Sequence, residues 1–400
     1  MYMELLRTEK SYRHLFVAGI VNGIGDRFSQ VAVLALLLQL TGSGFAVGLL
    51  LAIKLIPAFF VSPFVGSLTE RFSQKSILVF TDFARIVFAL TYILANTSSD
   101  IWILYVSTFF LAIGEAIYQP VRKSLIATTV SKERLTRVNI LEQVMMGIVL
   151  IIGSLSGGIV SYFFGMDITF FLNGCSFFVA GILIKNTSLK NSNEKKRKKT
   201  FYGHFKSVVQ LVVKSPLLKL ILLIELTVPF ADAVFNVLIS VYAVDEFNSG
   251  EFGIGLFYSA LGLGLVLTFI YGEKLIRNLF IVGAYGLIGE GIFQLIISQT
   301  HSLVVAAILF VFVSFAGGIG TACFDTIMMK EIPEDDQASV FGLFHMFNNA
   351  LFGLCMIIAG SILQVLEPRV LGVLAACWFV IIGIGIIVLV KLNQRLQVSN

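Results

Sequence analysis

The chain has 400 residues, 57% of them hydrophobic and only 13% charged, with a mean hydropathy of +0.91 and a net charge of +5. Soluble domains carry roughly a quarter charged residues, and no soluble core can hide this much apolar surface, so the composition excludes an ordinary soluble globular domain. Lipid can cover it, and the apolar residues fall in runs close to the ~20 residues that span a bilayer as a helix.

In chain order, the first helix is expected over 15–40. It carries Asn22, Asp26 and Arg27, is long, and lacks a small-residue cleavage site, so it reads as a retained span and not a signal peptide. The second helix (44–66) carries Lys54, and the third (77–95) carries Asp82 and Arg85. The fourth (101–121) leads into Arg122. Glu115, Gln119 and Arg122 follow at spacings of four and three, which puts them on one helix face as a polar stripe. A fifth helix (139–163) and a sixth (166–185) complete the first set. The stretch 186–215 is the most polar of the chain and contains Lys195-Lys196-Arg197-Lys198-Lys199. It reads as a solvated basic linker and not as a nucleic-acid site.

The second set is expected at 217–243, 252–272, 278–298, 302–326, 340–365 and 369–391. Glu225 and Asp232 lie on its first helix, Glu290 on its third and Asp325 near the end of its fourth. The expected domains are thus residues 1–185, a linker 186–215, and 216–400. Lys and Arg crowd the connections on one side, from Arg7, Arg71 and Lys75 to Lys274, Arg277, Lys330 and Lys391, whereas the other side's connections hold only Arg369. By the positive-inside rule both termini and the linker are cytoplasmic in a cell membrane.

The two sets also resemble each other. A shift of 206 positions lays Gly114-Glu-Ala-Ile-Tyr118-Gln over Gly320-Thr-Ala-Cys-Phe324-Asp, and Asp26 over Asp232. Parallel repeats of this kind are a transporter architecture with the substrate site between the halves.

The connection after the second helix reads Gly66-Ser-Leu68-Thr-Glu70-Arg71-Phe-Ser-Gln-Lys75, and Asp82 and Arg85 follow in the third helix. This resembles the loop signature of the major facilitator superfamily, G-x-L-x-D-R-x-G-R-K, with Glu70 in place of Asp and Ser73 in place of Gly. Gly153-Ser-Leu-Ser-Gly157-Gly158 is similar to the helix-5 antiporter signature, with Ser154 in place of Pro. Gly25-Asp26-Arg27, Leu40-Thr41-Gly42-Ser43 and Pro57 look like the macrolide-efflux and drug-exporting branch. The resemblance implies an all-α membrane fold of twelve transmembrane helices in two pseudo-symmetric six-helix bundles, and drug efflux by proton antiport. It also makes Gly66, Leu68, Glu70, Arg71, Lys75, Asp82, Arg85 and Arg122 a conformational switch at the cytoplasmic end, with Arg122 anchoring the loop or pairing with Glu70.

Ionisable groups at mid-bilayer are costly and face protein or water. Asp26, Asp232 and Glu115 are the proton-coupling candidates, since a carboxylate in a partly dry cavity can load and release a proton near neutral pH. Asp26 leads, against the alternative of a fixed ion pair with Lys54 or another cation. Asn22, Lys54, Glu115, Gln119, Glu225 and Asp232 are the substrate-cavity candidates. Arg27 points about 100° away from Asp26 around the helix and reads as a packing residue, as does Glu290. Cys175, Cys323, Cys355 and Cys377 lie in apolar runs without metal-ligand spacing, and there is no nucleotide-binding loop. No metal or cofactor is expected; a proton gradient is the expected energy source. The partners expected are a small-molecule substrate and lipid, without nucleic acid, for a monomer. An exporter of an endogenous siderophore, peptide or lipid fits the same residues. An intramembrane enzyme fits less well, because no nucleophile is matched with a base.

Overall fold

The structure is a computed structural model that describes residues 6–130, 134–187, 215–275, 278–332 and 334–392. The side chains of a few further positions, including Gly66 and Glu70, lie outside the described set, as does most of the basic linker. Twelve long α-helices make up the described residues. They are α1 (Lys10–Thr41), α2 (Gly44–Arg71), α3 (Gln74–Thr91), α4 (Ile101–Thr129), α5 (Leu135–Phe164) and α6 (Met166–Lys185), then α7 (Pro216–Val241), α8 (Gly250–Leu275), α9 (Leu279–Gln299), α10 (Leu303–Glu331), α11 (Glu334–Ile362) and α12 (Pro368–Leu392). Ten segments are long and apolar enough to cross a membrane. Of the other two helices, α7 carries Lys219, Glu225 and Asp232, and α11 opens on Glu334, Asp335 and Asp336 before its apolar part, Phe347–Ile362.

Local chemistry explains where the helices stop and start. Gly42 ends α1 in the left-handed region (φ 57°), where its N–H reaches the Leu38 carbonyl at 2.7 Å. Ser73, Ser215 and Ser302 cap α3, α7 and α10 by accepting from the amides of Ser76, Leu218 and Val305. The sequence places Gly66–Arg71 in a loop, but α2 runs through Arg71 and the connection shrinks to Phe72 and Ser73. The reason is local: nothing between Gly66 and Arg71 breaks a helix, and the first strong stop is the cap at Ser73.

The packing repeats. In the first half α1 packs on α5 and α6, α2 on α4, and α3 on α4 and α6. In the second, α7 packs on α11 and α12, and α9 on α10 and α12. Each of these second-half pairings is a first-half pairing moved on by six helices, so the similarity seen between the two sets of sequence is also one of architecture. Two compact units result. One comprises residues 1–195 with 243–259, and the other 196–242 with 260–400.

In lipid, helices gain little from hiding apolar surface and instead associate through close approach of small residues. Within the first unit, Gly158 of α5 meets the first turns of α8. A Cβ there would lie 2.7 Å from the Glu251 carbonyl oxygen, and one on Gly255 would lie 2.5 Å from that of Ser154. Ser259 secures the contact by donating to the Ile151 carbonyl at 3.0 Å. In the second unit, Gly286 of α9 lies against the backbone of Ala316 and Gly320 of α10.

Candidate functional site

The centre of the first unit is Arg85 of α3, whose side chain is 3% exposed. Its guanidinium takes two carboxylates from two other helices: Asp26 of α1 at 2.7 Å and Glu115 of α4 at 2.9 Å. Beneath it lies the Phe177 ring of α6, with its centroid 4.2 Å from the guanidinium carbon, a cation–π contact. Arg85 also donates to Asn22 at 3.3 Å, and Asn22 donates to the fully buried Asp82 at 2.8 Å. Gly114 makes room for this arrangement: a Cβ there would sit 2.7 Å from Cγ of Arg85. The carboxylates are more open than the arginine, at 25% exposure for Asp26 and 35% for Glu115. Gln119, one turn further along α4, donates to Glu115. The fixed partner of Asp26 is therefore Arg85 and not Lys54.

Two further cations converge nearby. Arg27 of α1 donates to Oε1 of Gln30 at 2.6 Å, and Lys54 of α2 donates to the same oxygen at 3.2 Å. The stem of Arg27 rests on Gly153 of α5, where a Cβ would lie 2.8 Å from its own. Gly157, one turn on, lies against the backbone of Phe28. The glycines of the helix-5 signature thus let α5 close on α1 beside the charged residues.

Arg122 is not a loop anchor at the membrane edge. It is 3% exposed and binds Glu142 of α5 through both terminal nitrogens, at 2.5 and 3.1 Å, while donating to the Leu15 carbonyl at 3.2 Å. Tyr12 donates to the same Glu142 at 3.0 Å. Among the described residues the acidic partner of Arg122 is Glu142, and the cluster ties α1, α4 and α5 together; the expected pairing with Glu70 falls on a side chain outside the described residues. Of the other signature residues, Arg71 is exposed, Leu68 packs against the apolar cluster around Tyr12 and Leu78, and Lys75 donates to the Thr187 carbonyl just past α6 at 2.8 Å. Asp82 and Arg85 belong to the central network and not to the helix end.

In the second unit, Glu225 of α7 accepts from Asn348 of α11 at 2.6 Å. Asp232 is half-buried and within electrostatic range of Glu225 and of Glu290 on α9. Glu290 is 8% exposed, accepts from Gln294 at 3.3 Å, and lies over Gly317 of α10. This matches the first unit, where the charged Arg85 of α3 lies over Gly114 of α4. No group of three or more metal-ligating side chains occurs among the described residues.

Sequence reasoning missed Gln30, Glu142 and Asn348, and set Arg85 in the wrong company. Gln30 was detectable, since it lies three residues after Arg27 on the same helix face. Glu142 and Asn348 answer to partners on distant helices, and no spacing in the chain marks them.

Residues 15–354 match the family model of the Major Facilitator Superfamily. An uncharacterised MFS-type transporter of Bacillus subtilis, YvqJ, is 22% identical, with 96% of this chain and 94% of the relative covered. Macrolide efflux protein A of Streptococcus pyogenes is also 22% identical, covering 92% of this chain and 91% of its own. Among solved structures, the nucleoside transporter NupG superposes with a TM-score of 0.71 at 12% identity, over 95% of this chain and 99% of its own. A bacterial homologue of the iron transporter ferroportin in an inward-facing state gives 0.71 at 17% identity, over 96% and 99%.

Proposed function

Because the chain belongs to the Major Facilitator Superfamily, a family of membrane transporters, we propose that it exports small amphipathic, drug-like molecules in exchange for protons. The similarity to a macrolide efflux protein supports the class of cargo and the direction. The observation that carries the coupling is the arginine held by two carboxylates, Asp26–Arg85–Glu115.

A buried cation stripped of its only partner is strongly unfavourable, which makes a simple ion pair a poor proton carrier. Here Glu115 keeps Arg85 neutralised while Asp26 takes a proton and lets go. Each carboxylate is open enough to meet water or cargo, and the arginine is not. The three groups come from α1, α3 and α4, so loading the proton changes the tie between three helices. Alternating access needs a ligand that binds two states unequally. A proton does so when the carboxylate it binds is paired in one state and free in the other.

Everted vesicles test the reading with a labelled macrolide and a panel of amphipathic compounds, with and without a pH gradient. Asp26→Asn abolishes gradient-driven uptake into the vesicles and keeps substrate binding, which no longer varies with pH. Asp232→Asn, with no basic partner in ion-pair range among the described residues, has the smaller effect. Normal pumping by Asp26→Asn against a gradient moves the proton to Glu115, and a pH response kept in both Asp26→Asn and Glu115→Gln removes the triad from the coupling.

A further inference from the structure

We propose that Arg27, Lys54 and Gln30 form an anion-binding subsite, and that the transported amphiphile carries a carboxylate or similar oxyanion that seats there. The inference rests on the transporter reading and adds the substrate class to it.

Arg27 and Lys54 both donate to one atom, Oε1 of Gln30, at 2.6 and 3.2 Å. Two like charges that share an acceptor inside a bundle of membrane helices repel each other, and the repulsion grows as the local dielectric falls. A neutral amide oxygen answers only part of that charge. No carboxylate among the described residues lies within ion-pair distance of either cation. Asp26 and Glu115 act on Lys54 at longer range, and both are already engaged by Arg85. Lys54 is exposed although it sits mid-way along a membrane-spanning helix, so a ligand can reach it. The buried Tyr258 hydroxyl lies beside Gln30 and supplies a further donor.

An oxyanion between Arg27 and Lys54 resolves all of this together. It offers two acceptor oxygens to a guanidinium fork and an ammonium, the charge-assisted geometry that binds carboxylates and phosphates best. It also screens the two cations from each other. The stem of Arg27 is already fixed against Gly153, so little ordering remains to be done on binding.

The test measures binding to the purified full chain in neutral phosphatidylcholine nanodiscs, with no gradient present. Three probes share one fluorophore and differ in charge: dansylglycine (anionic), dansylamide (neutral) and dansyl-ethylenediamine (cationic). The wild type binds dansylglycine about tenfold more tightly than dansylamide, or better. Lys54→Gln and Arg27→Gln each bring the ratio of dansylglycine to dansylamide affinity within one variant close to one, whereas Lys54→Arg keeps it near the wild-type value. Should Arg27→Gln fail to fold, Lys54→Gln decides, since the Lys54 side chain is exposed and its hydrogen-bond partner among the described residues is Gln30. Replacing part of the lipid by phosphatidylglycerol separates the sources of the anion. Loss of dansylglycine binding then makes a lipid headgroup the occupant, and unchanged binding makes it a soluble organic anion. A wild type that binds dansylglycine no better than dansylamide, or that prefers the cationic probe, overturns the proposal, as does a preference untouched in both variants. A chain that passes this test and fails to pump protons refutes the coupling mechanism alone.

Discussion

Arg85 is the residue on which the first unit's polar interior depends, and its removal has a calculable sign. Arg85→Gln leaves Asp26 and Glu115 facing each other without a cation. Breaking a buried pair by deleting one partner costs about 3–5 kcal/mol, and the partial exposure of both carboxylates puts this case at the lower end. Thermal unfolding in detergent should show the loss, and adding Asp26→Asn with Glu115→Gln to the same chain should recover most of it while transport stays dead. An Arg85→Gln protein as stable as the wild type contradicts the network. The two carboxylates were legible in the sequence because an acidic residue inside an apolar run has few explanations. Arg85 was equally visible and still misread. It lies three residues after Asp82 and close behind the helix-2 signature, so proximity in the chain linked it to the helix end, whereas its partners are 59 and 30 positions away. Spacing reports contacts within one helix; contacts between helices are fixed by packing that no single run of residues encodes.

At the level of the helix, glycines decide which elements can meet. Gly114→Ala places a methyl 2.7 Å from Cγ of Arg85, and overpacking of this kind costs about 1–3 kcal/mol. It should also lower transport beyond what the stability loss explains, because the guanidinium is pushed off its two carboxylates. Gly385→Ala in α12, where a Cβ meets nothing within 4 Å, is the matched control. There the better helix propensity of Ala, up to about 1 kcal/mol, acts unopposed. Unfolding curves of the two variants side by side check the pair, and equal effects of either sign refute the packing account. Helix existence and number were read correctly from hydropathy, since runs of apolar residues of bilayer length have one regular solution. Helix ends were not. Gly66–Arg71 resembles a loop signature, yet an α-helix tolerates each of its residues, and only the Ser73 cap stops the backbone.

For the whole molecule, the alternation of basic and neutral connections predicts which end of each helix faces the cytoplasm. After replacement of Cys175, Cys323, Cys355 and Cys377, single cysteines at Ser98 and Ser249 should react with an impermeant maleimide added to intact cells. Those at Ser131 and Ser192 should react only after the membrane is opened. Mixed or reversed labelling sinks the orientation. The architecture beneath this topology was legible as the 206-residue offset that lays Asp26 over Asp232, and the repeated helix pairings agree with it. The chemistry is not repeated to the same degree. The first unit gives its Asp an arginine, while in the second Asp232 is in range of the acids Glu225 and Glu290. The two units thus share a pattern of helix pairings, while only the first sets an arginine among its acids.

On the proposed exchange, the composition of the triad also predicts how the cycle responds to membrane voltage. With both carboxylates ionised, Asp26, Arg85 and Glu115 together carry a single negative charge, and one bound proton cancels it. On the proposed exchange, a second proton would strip Arg85 of both its paired carboxylates, so the triad is expected to trade one proton per turnover. Exchange of that proton for an uncharged molecule moves one elementary charge across the bilayer, worth about 2.3 kcal/mol per 100 mV. A potassium diffusion potential set up with valinomycin, at equal pH on both sides, should then drive export of a neutral cargo. It should leave a singly positive cargo indifferent, and it should act twice over on a singly negative one.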